Sequence, residues 1–281
     1  MNTKKSSTQK MKYLHGHSKL EQARLVEQAK FLAPSIYENV DFLNISNLLE
    51  IGCGVGAQTE ILLQKFPGLH IHGVDASITQ IQTANKRLAR QIKQKKCQFS
   101  VGNALKLDFP NQSFDGVFLC WFLEHVQNPV DVLKEIKRVL KPGGIIFANE
   151  VLNTSFYLDP YAPATQNYWF IFNDHQWNMK GDPFVGAKLG NYFLKAGFTK
   201  IHTIMKTYHL DNRCPKKRSQ FIDYWSKLLL SGAEELIKAK RVTHKLVNEM
   251  KKELKLLKKD PDAVLIDSWI QGKAYKASRK S

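Results

Sequence analysis

Apolar positions change their period several times along the chain, and each change marks an element. From Ser18, Leu20, Ala23, Leu25, Ala29 and the Phe31-Leu32 pair recur at helical spacing, which predicts a helix ended by Pro34. Short apolar runs at 47–51, 70–74, 98–101, 114–119 and 145–150 then read as strands. Between them lie helical patterns at about 58–65, 79–93 and 129–140, the last stopped by Lys141-Pro-Gly-Gly144. Strands alternating with helices predict a mostly parallel sheet covered on both faces. Such sheets bind ligands beyond the carboxyl ends of their strands. Chemistry is therefore expected just after Ile51, Val74, Val101, Leu119 and Phe147.

The second half is less regular. Residues 151–181 crowd aromatics among turn residues and show no clear period. Residues 188–196 predict a helix closed by Gly197, and 199–209 a strand. From about 219 to 258 apolar residues recur at three- and four-residue steps, with a break expected near Ser231-Gly232. Residues 263–275 read as a returning strand. The expected organisation is a disordered basic tail (1–12), a helical segment over the ligand site (13–44), a ligand-binding core (45–150) and a remainder (151–281). That remainder is expected to contain an aromatic lid at about 153–181 and a helical cap at about 216–259, together mobile.

Charge adds a question. The 281 residues carry 42 Lys plus Arg against 25 Asp plus Glu, a net +17. Nucleic acid or an acidic surface would suit that excess. The lysines are spread, however, and do not alternate with aromatics as a base-stacking platform requires, so a solvated surface is the favoured reading. Four isolated cysteines form no Cys-x-x-Cys pair, and no His-Glu-x-x-His occurs; neither a metal site nor a disulfide framework is expected. With no apolar run of membrane length and no secretory leader, the expected location is cytoplasmic.

The densest chemistry is Leu49-Glu-Ile-Gly-Cys-Gly-Val-Gly-Ala57, a strand running through glycines into a helix. Gly52, Gly54 and Gly56 permit a tight turn and close approach of a ligand to the backbone, and the helix behind them favours an anion. Alone the loop is ambiguous. Gly52, Gly54 and Ala57 also satisfy the dinucleotide fingerprint, with Asp75 where a ribose-binding acid belongs.

Further blocks separate the readings: Gly73-Val-Asp-Ala-Ser77, Gly102-Asn-Ala104, Phe114-Asp-Gly-Val-Phe118, Leu123-Glu-His-Val126 and Leu140-Lys-Pro-Gly-Gly144. Together with the glycine loop, over about residues 45–150, they resemble class I S-adenosylmethionine-dependent methyltransferases, in the branch that includes ubiquinone-biosynthesis enzymes. The resemblance implies a Rossmann-like α/β fold: a seven-stranded, mostly parallel sheet with helices on both faces, an antiparallel last strand and helical cap insertions. It implies S-adenosyl-L-methionine as cofactor, with Glu50, Gly52, Cys53, Gly54 and Gly56 at its methionine part. Asp75 and Ala76 fall at the ribose. Asn103 and Ala104 fall at the adenine, where the family usually has Asp-Ala; the Asn103 carbonyl can still accept from an amino group. Cys120 and Trp121 follow the fourth strand beside the methionine moiety, although Trp121 could equally fill core. Tyr13 and Arg24 lie where related enzymes fold a segment over the cofactor; Arg24 is read either as a partner of the methionine carboxylate or as an exposed helix arginine.

For the transfer itself, His125, Glu124 and Glu150 are the candidate acid–base or orienting residues, each also readable as an ordinary polar position. Tyr157, Tyr161, Trp169 and Trp225 are the candidate wall of an acceptor pocket. The leading function is in-line methylation of a small molecule. An RNA or protein methyltransferase using the basic surface, and a cofactor-binding protein without turnover, are the alternatives. Nucleic acid is not the expected partner, and a homodimer is left open.

Overall fold

The computed structural model describes Gly16 and residues 18–278. The predicted basic tail and Tyr13 lie outside the described residues. The first helix, α1 (Lys19–Ile36), starts at Ser18, whose hydroxyl accepts from the Glu21 N–H. It runs past Pro34 rather than ending there: the proline sits in the last turn, and the Tyr37 N–H closes the helix on the Ala33 carbonyl. A proline so near the end removes one hydrogen bond without forcing a break.

Strands and helices then alternate as β1 (Asn47–Ile51), α2 (Ala57–Lys65), β2 (His70–Asp75), α3 (Ile78–Arg87), α4 (Ala89–Lys93), β3 (Cys97–Val101), β4 (Phe114–Cys120), α5 (Pro129–Val139) and β5 (Leu140–Val151). The single helix expected over 79–93 is divided at Leu88, which leaves helical geometry and is wholly buried. Lys141-Pro-Gly-Gly144 does end α5, yet it also opens β5 as an irregularity in the β4–β5 register between the Phe114–Leu140 and Gly116–Ile145 pairs.

Beyond β5 come β6 (Tyr157–Asp159), α6 (Pro163–Asn178), α7 (Leu189–Lys195), β7 (Thr199–Leu210), α8 (Pro215–Ser231), α9 (Ala233–Lys238), α10 (His244–Lys259) and β8 (Val264–Tyr275). The expected break falls between α8 and α9, and a second one separates α9 from α10.

The strands form one eight-stranded sheet ordered β3-β2-β1-β4-β5-β8-β6, with β7 on the other edge of β8. Pairings among β1 to β5 are parallel; β8 runs antiparallel to β5, β6 and β7. The eighth strand beyond the expected seven is the three-residue β6, which lies against the start of β8. Side-chain alternation divides the core: Leu48, Phe118 and Phe147 pack on the α1–α2 side, Leu49, Leu119 and Ala148 on the α5–α7 side.

β1 has β2 on one flank and β4 on the other, so strand order reverses there. β8 extends past the end of β5: Val151 pairs with Trp269, whereas residues 264–266 pair with β6 and β7. Helices α6, α8 and α10 share a core with that extension through Tyr168, Trp169, Phe221, Trp225, Met250 and Leu265. Two polar devices lock it. Glu253 of α10 accepts from the Ala164 and Thr165 N–H groups at the start of α6 (2.9 and 2.7 Å). Arg218 of α8, 3% exposed, donates to the carbonyls of Asp260, Pro261 and Ala263. Among the described residues no helix is long and apolar enough to cross a membrane.

Candidate functional site

The glycine loop lies at the reversal of strand order. Its three glycines take φ of 70°, 52° and 72°, a region costly for any side chain. Two have distinct environments. A Cβ on Gly52 would meet the Phe122 ring at 2.4 Å, so the loop packs directly under the segment that follows β4. A Cβ on Gly54 would meet nothing within 4 Å; its face is open for a ligand.

Asp75 ends β2 and ties two elements together. One carboxylate oxygen accepts from the Gly54 N–H (2.9 Å), the other from the Ser77 N–H (2.8 Å). Both oxygens keep accepting capacity toward a diol. Beyond Asp75, Ala76 is exposed. Ile78, Val101 and Leu105 are also exposed, at 61%, 52% and 48%. Val101 pairs with Asp75 across β2 and β3, and the Gly102 N–H donates to the Asp75 carbonyl. Exposed apolar side chains at adjoining strand ends suit the faces of a planar ring. Motif spacing does not mark these residues; apolar side chains at the ends of a helix and a strand and in the turn beyond are the available signal. Asn103 is exposed, and its side-chain oxygen already accepts from the Leu105 N–H (2.9 Å), which fixes the turn carrying half-buried Ala104.

Below the loop, Glu50 is buried and accepts from the Thr59 hydroxyl at 2.5 Å. Burial pushes its pKa up to about 8, with Asp75 adding repulsion and the Thr59 bond opposing. Its contacts are internal, so it braces the loop from beneath. Cys53 is buried, and burial raises its thiol pKa. Cys120 accepts from the Gln58 amide (3.5 Å), and Gln58 in turn accepts from the Tyr37 hydroxyl (2.6 Å). Burial raises the Cys120 thiol as well, so neither cysteine is a reactive thiolate.

Trp121 is half-buried with φ of 51°, a strained value for a large side chain. Its N–H is held by the Asn149 carbonyl (2.8 Å). Glu150 is fully buried and accepts from the N–H groups of Phe122 and Leu123 (3.3 and 3.0 Å). It thus clamps the turn after β4 and does not stand open to a substrate. Burial brings its pKa to about 8 despite those bonds. Glu124 is bound by the Gln176 amide of α6 (2.7 Å), and half-buried His125 lies 3.7 Å from it. The pair joins the β4 turn to α6.

Arg24 is not an exposed helix arginine. Its side chain is 8% exposed and grips Glu21 with two bonds of 2.7 and 2.6 Å. Of the expected pocket wall, Trp169 and Trp225 are each 3% exposed, packed with Phe156 and Phe172, while Tyr157 and Tyr161 are 49% and 75% exposed. The four do not line one opening. The tryptophans are needed to join α6 and α8 over the end of β5, which corrects the expectation of an open aromatic wall.

A polar layer that the sequence did not mark lies on the α1 side of β5 and β8. Asn149 Oδ1 accepts from Trp269 Nε1 (3.3 Å) and Gln271 Nε2 (3.0 Å), and Gln271 also donates to the Ile36 carbonyl. Asn149 Nδ2, Gln271 Oε1 and Trp225 Nε1 are buried without a partner. Native interiors rarely leave such atoms unpaired, so they are candidates for ligand contact.

A family model described as "Methyltransferase domain" matches residues 49–148. Sterol 24-C-methyltransferase ERG6B of Gibberella zeae is 36% identical over 110 residues, 39% of this chain and 29% of that protein. Demethylmenaquinone methyltransferase of Lactococcus lactis is 32% identical over 170 residues, 55% of this chain and 66% of that protein. Among solved structures, Haemonchus contortus phosphoethanolamine N-methyltransferase 2, bound to phosphomonomethylethanolamine and S-adenosylhomocysteine, aligns with a TM-score of 0.57 at 18% identity. The alignment covers 92% of this chain and 57% of that one. The fold is Rossmann-like, with the glycine loop at its reversal of strand order. The chain carries, over residues 49–148, a methyltransferase domain of the class I S-adenosylmethionine-dependent type, with S-adenosylmethionine as the cofactor of the class. It spans between 29% and 66% of the two relatives' length.

Proposed function

We propose that the protein methylates a small-molecule acceptor held between the carboxyl edge of the sheet and the α6–α8 cap. One observation carries this reading: the open Gly54 face, the two-bonded Asp75 carboxylate and the exposed Ile78–Val101–Leu105 group adjoin at the reversal of strand order. That set fits an amino-acid moiety, a ribose and a purine in sequence. S-adenosylmethionine would supply an electrophilic methyl group on a sulfonium.

In this reading the chain's residues bind, orient and exclude water. Gly52, Cys53, Gly54 and Gly56, braced by Glu50, hold the methionine end, and Asp75 with Ala76 the ribose. Ala104 presents its N–H to the adenine, and Asn103 shapes that turn. Cys120 and Trp121 close the methionine side, with Arg24 and Tyr13 as parts of the covering segment. Glu150, Glu124 and His125 act as positioning residues for the β4 turn. The relatives' named substrates, a sterol and demethylmenaquinone, support a small organic acceptor.

The test uses tritiated methyl donor and cell extract fractionated by size. Label in the small-molecule fraction is the expected result. Label confined to acid-precipitable RNA or protein would replace this reading with the macromolecular one, in which the basic surface holds the substrate.

A further inference from the structure

Most polar groups of the glycine loop are already committed. The N–H groups of Gly52 and Cys53 donate to the Val74 carbonyl, that of Gly56 to the Cys53 carbonyl, and that of Gly54 to Asp75. Among the described residues, the Val55 N–H is the loop donor left without a partner, next in the chain to the open Gly54 face. The Val55 carbonyl is held from another element. Arg87, in the last turn of α3, donates from one guanidinium nitrogen to that carbonyl (2.6 Å) and from another to Glu60 of α2 (2.8 Å).

The helix that carries Arg87 also meets the other walls of the candidate site. At its start, Ser77 is the cap, and the Ser77 N–H is held by Asp75. Along its length, Gln80 and Thr83 bond to Gln22 of α1 (2.9 and 3.2 Å). At its end, Ala84 and Leu88 pack on Gly56, where a Cβ would meet the Leu88 side chain at 2.9 Å. One helix thus joins the ribose-side carboxylate, the covering helix and the glycine loop. Arg87 is the polar link in the last of these joints.

We propose that Arg87 is a positioning residue for the cofactor: by holding the Val55–Gly56 peptide it keeps Val55 in the conformation that presents its N–H to the methionine carboxylate. The proposal rests on the methyl-transfer reading above, and Arg87 touches neither cofactor nor acceptor in it. A guanidinium suits the role, because its planar fork reaches a carbonyl and a carboxylate at once, whereas a lysine ammonium is a single point on a flexible stem. Glu60 orients the fork. At 23% and 26% exposure the ion pair adds little to stability by itself. Its effect is expected on binding, since a peptide that is not held has to be ordered when the ligand arrives.

The test applies S-adenosylhomocysteine calorimetry and thermal melts to wild type, Arg87→Ala, Arg87→Lys and Glu60→Gln. Arg87→Ala should bind roughly tenfold or more weakly, yet melt within about 4 °C of wild type. Arg87→Lys should recover part of the affinity, since an ammonium can still donate to the Val55 carbonyl. Glu60→Gln leaves the carbonyl bond in place and should weaken binding less than Arg87→Ala. Unchanged affinity in Arg87→Ala overturns the proposal, and so does an affinity loss that follows melting temperature across the three variants. In both cases binding by wild type leaves the methyl-transfer reading standing. Wild type that binds no S-adenosylhomocysteine overturns that reading, and the proposal with it.

Discussion

Gly52 and Gly54 stand two positions apart, and both take positive φ, yet they make opposite predictions. Gly54→Ala adds a methyl group into open space. It should cost only about 1–2 kcal/mol of backbone strain and leave a folded protein that binds S-adenosylhomocysteine poorly. Gly52→Ala drives a methyl into Phe122 and should lower the melting temperature markedly. Thermal melts and calorimetry on both variants separate the two; equal loss of stability would contradict this account of the loop. Glu150 gives a pH prediction. Its carboxyl is held near pKa 8 when folded and returns to its ordinary value of about 4.5 when unfolded. The folded state therefore binds the extra proton, and stability falls as pH rises from about 4.5 to 8. Glu150→Gln keeps the oxygen that accepts from Phe122 and Leu123 and removes the titration. Its melting temperature relative to wild type should climb between pH 5 and 8; parallel curves would show that Glu150 does not titrate there.

At the scale of elements, the cap's stability is expected to depend on polar clamps as well as aromatic area. Glu253→Ala removes the acceptor for two N–H groups and one hydroxyl at the start of α6. A loss of about 1–2 kcal/mol in denaturant unfolding is expected, with cofactor affinity unchanged; no loss would mean that packing alone holds α6. The same helix shows where sequence reading stopped. Tyr168, Trp169 and Phe172 point inward while Phe170 and Trp177 are 67% and 54% exposed, so aromatics on both faces hide the helical period. By contrast β1 and β2 were legible because buried parallel strands read as short apolar runs. The glycine loop and Asp75 were legible because turn chemistry and spacing are local. The Asn149–Gln271 layer was not, since it gets its meaning from strands that meet only in the folded chain.

Across the whole molecule, the net +17 invites a nucleic-acid role, and five of the 42 basic residues have partners within the fold that bear on it. Arg218 clamps carbonyls, Arg138 holds Glu135 and the 107–109 loop, and Lys206, Lys227 and Lys258 pair with carboxylates on other elements. A gel-shift titration at physiological salt should give weak binding to mixed RNA and DNA. Submicromolar affinity with a steep salt slope would mark the surface as a functional interface. The central claim concerns the ligand at the reversal of strand order, and calorimetry addresses it most directly. S-adenosylhomocysteine should bind wild type with one-to-one stoichiometry, NAD should not compete, and Asp75→Ala should weaken binding by about 1–3 kcal/mol, some five- to 150-fold. Tight NAD binding with no response to S-adenosylhomocysteine, or an Asp75→Ala variant of unchanged affinity, would contradict the account.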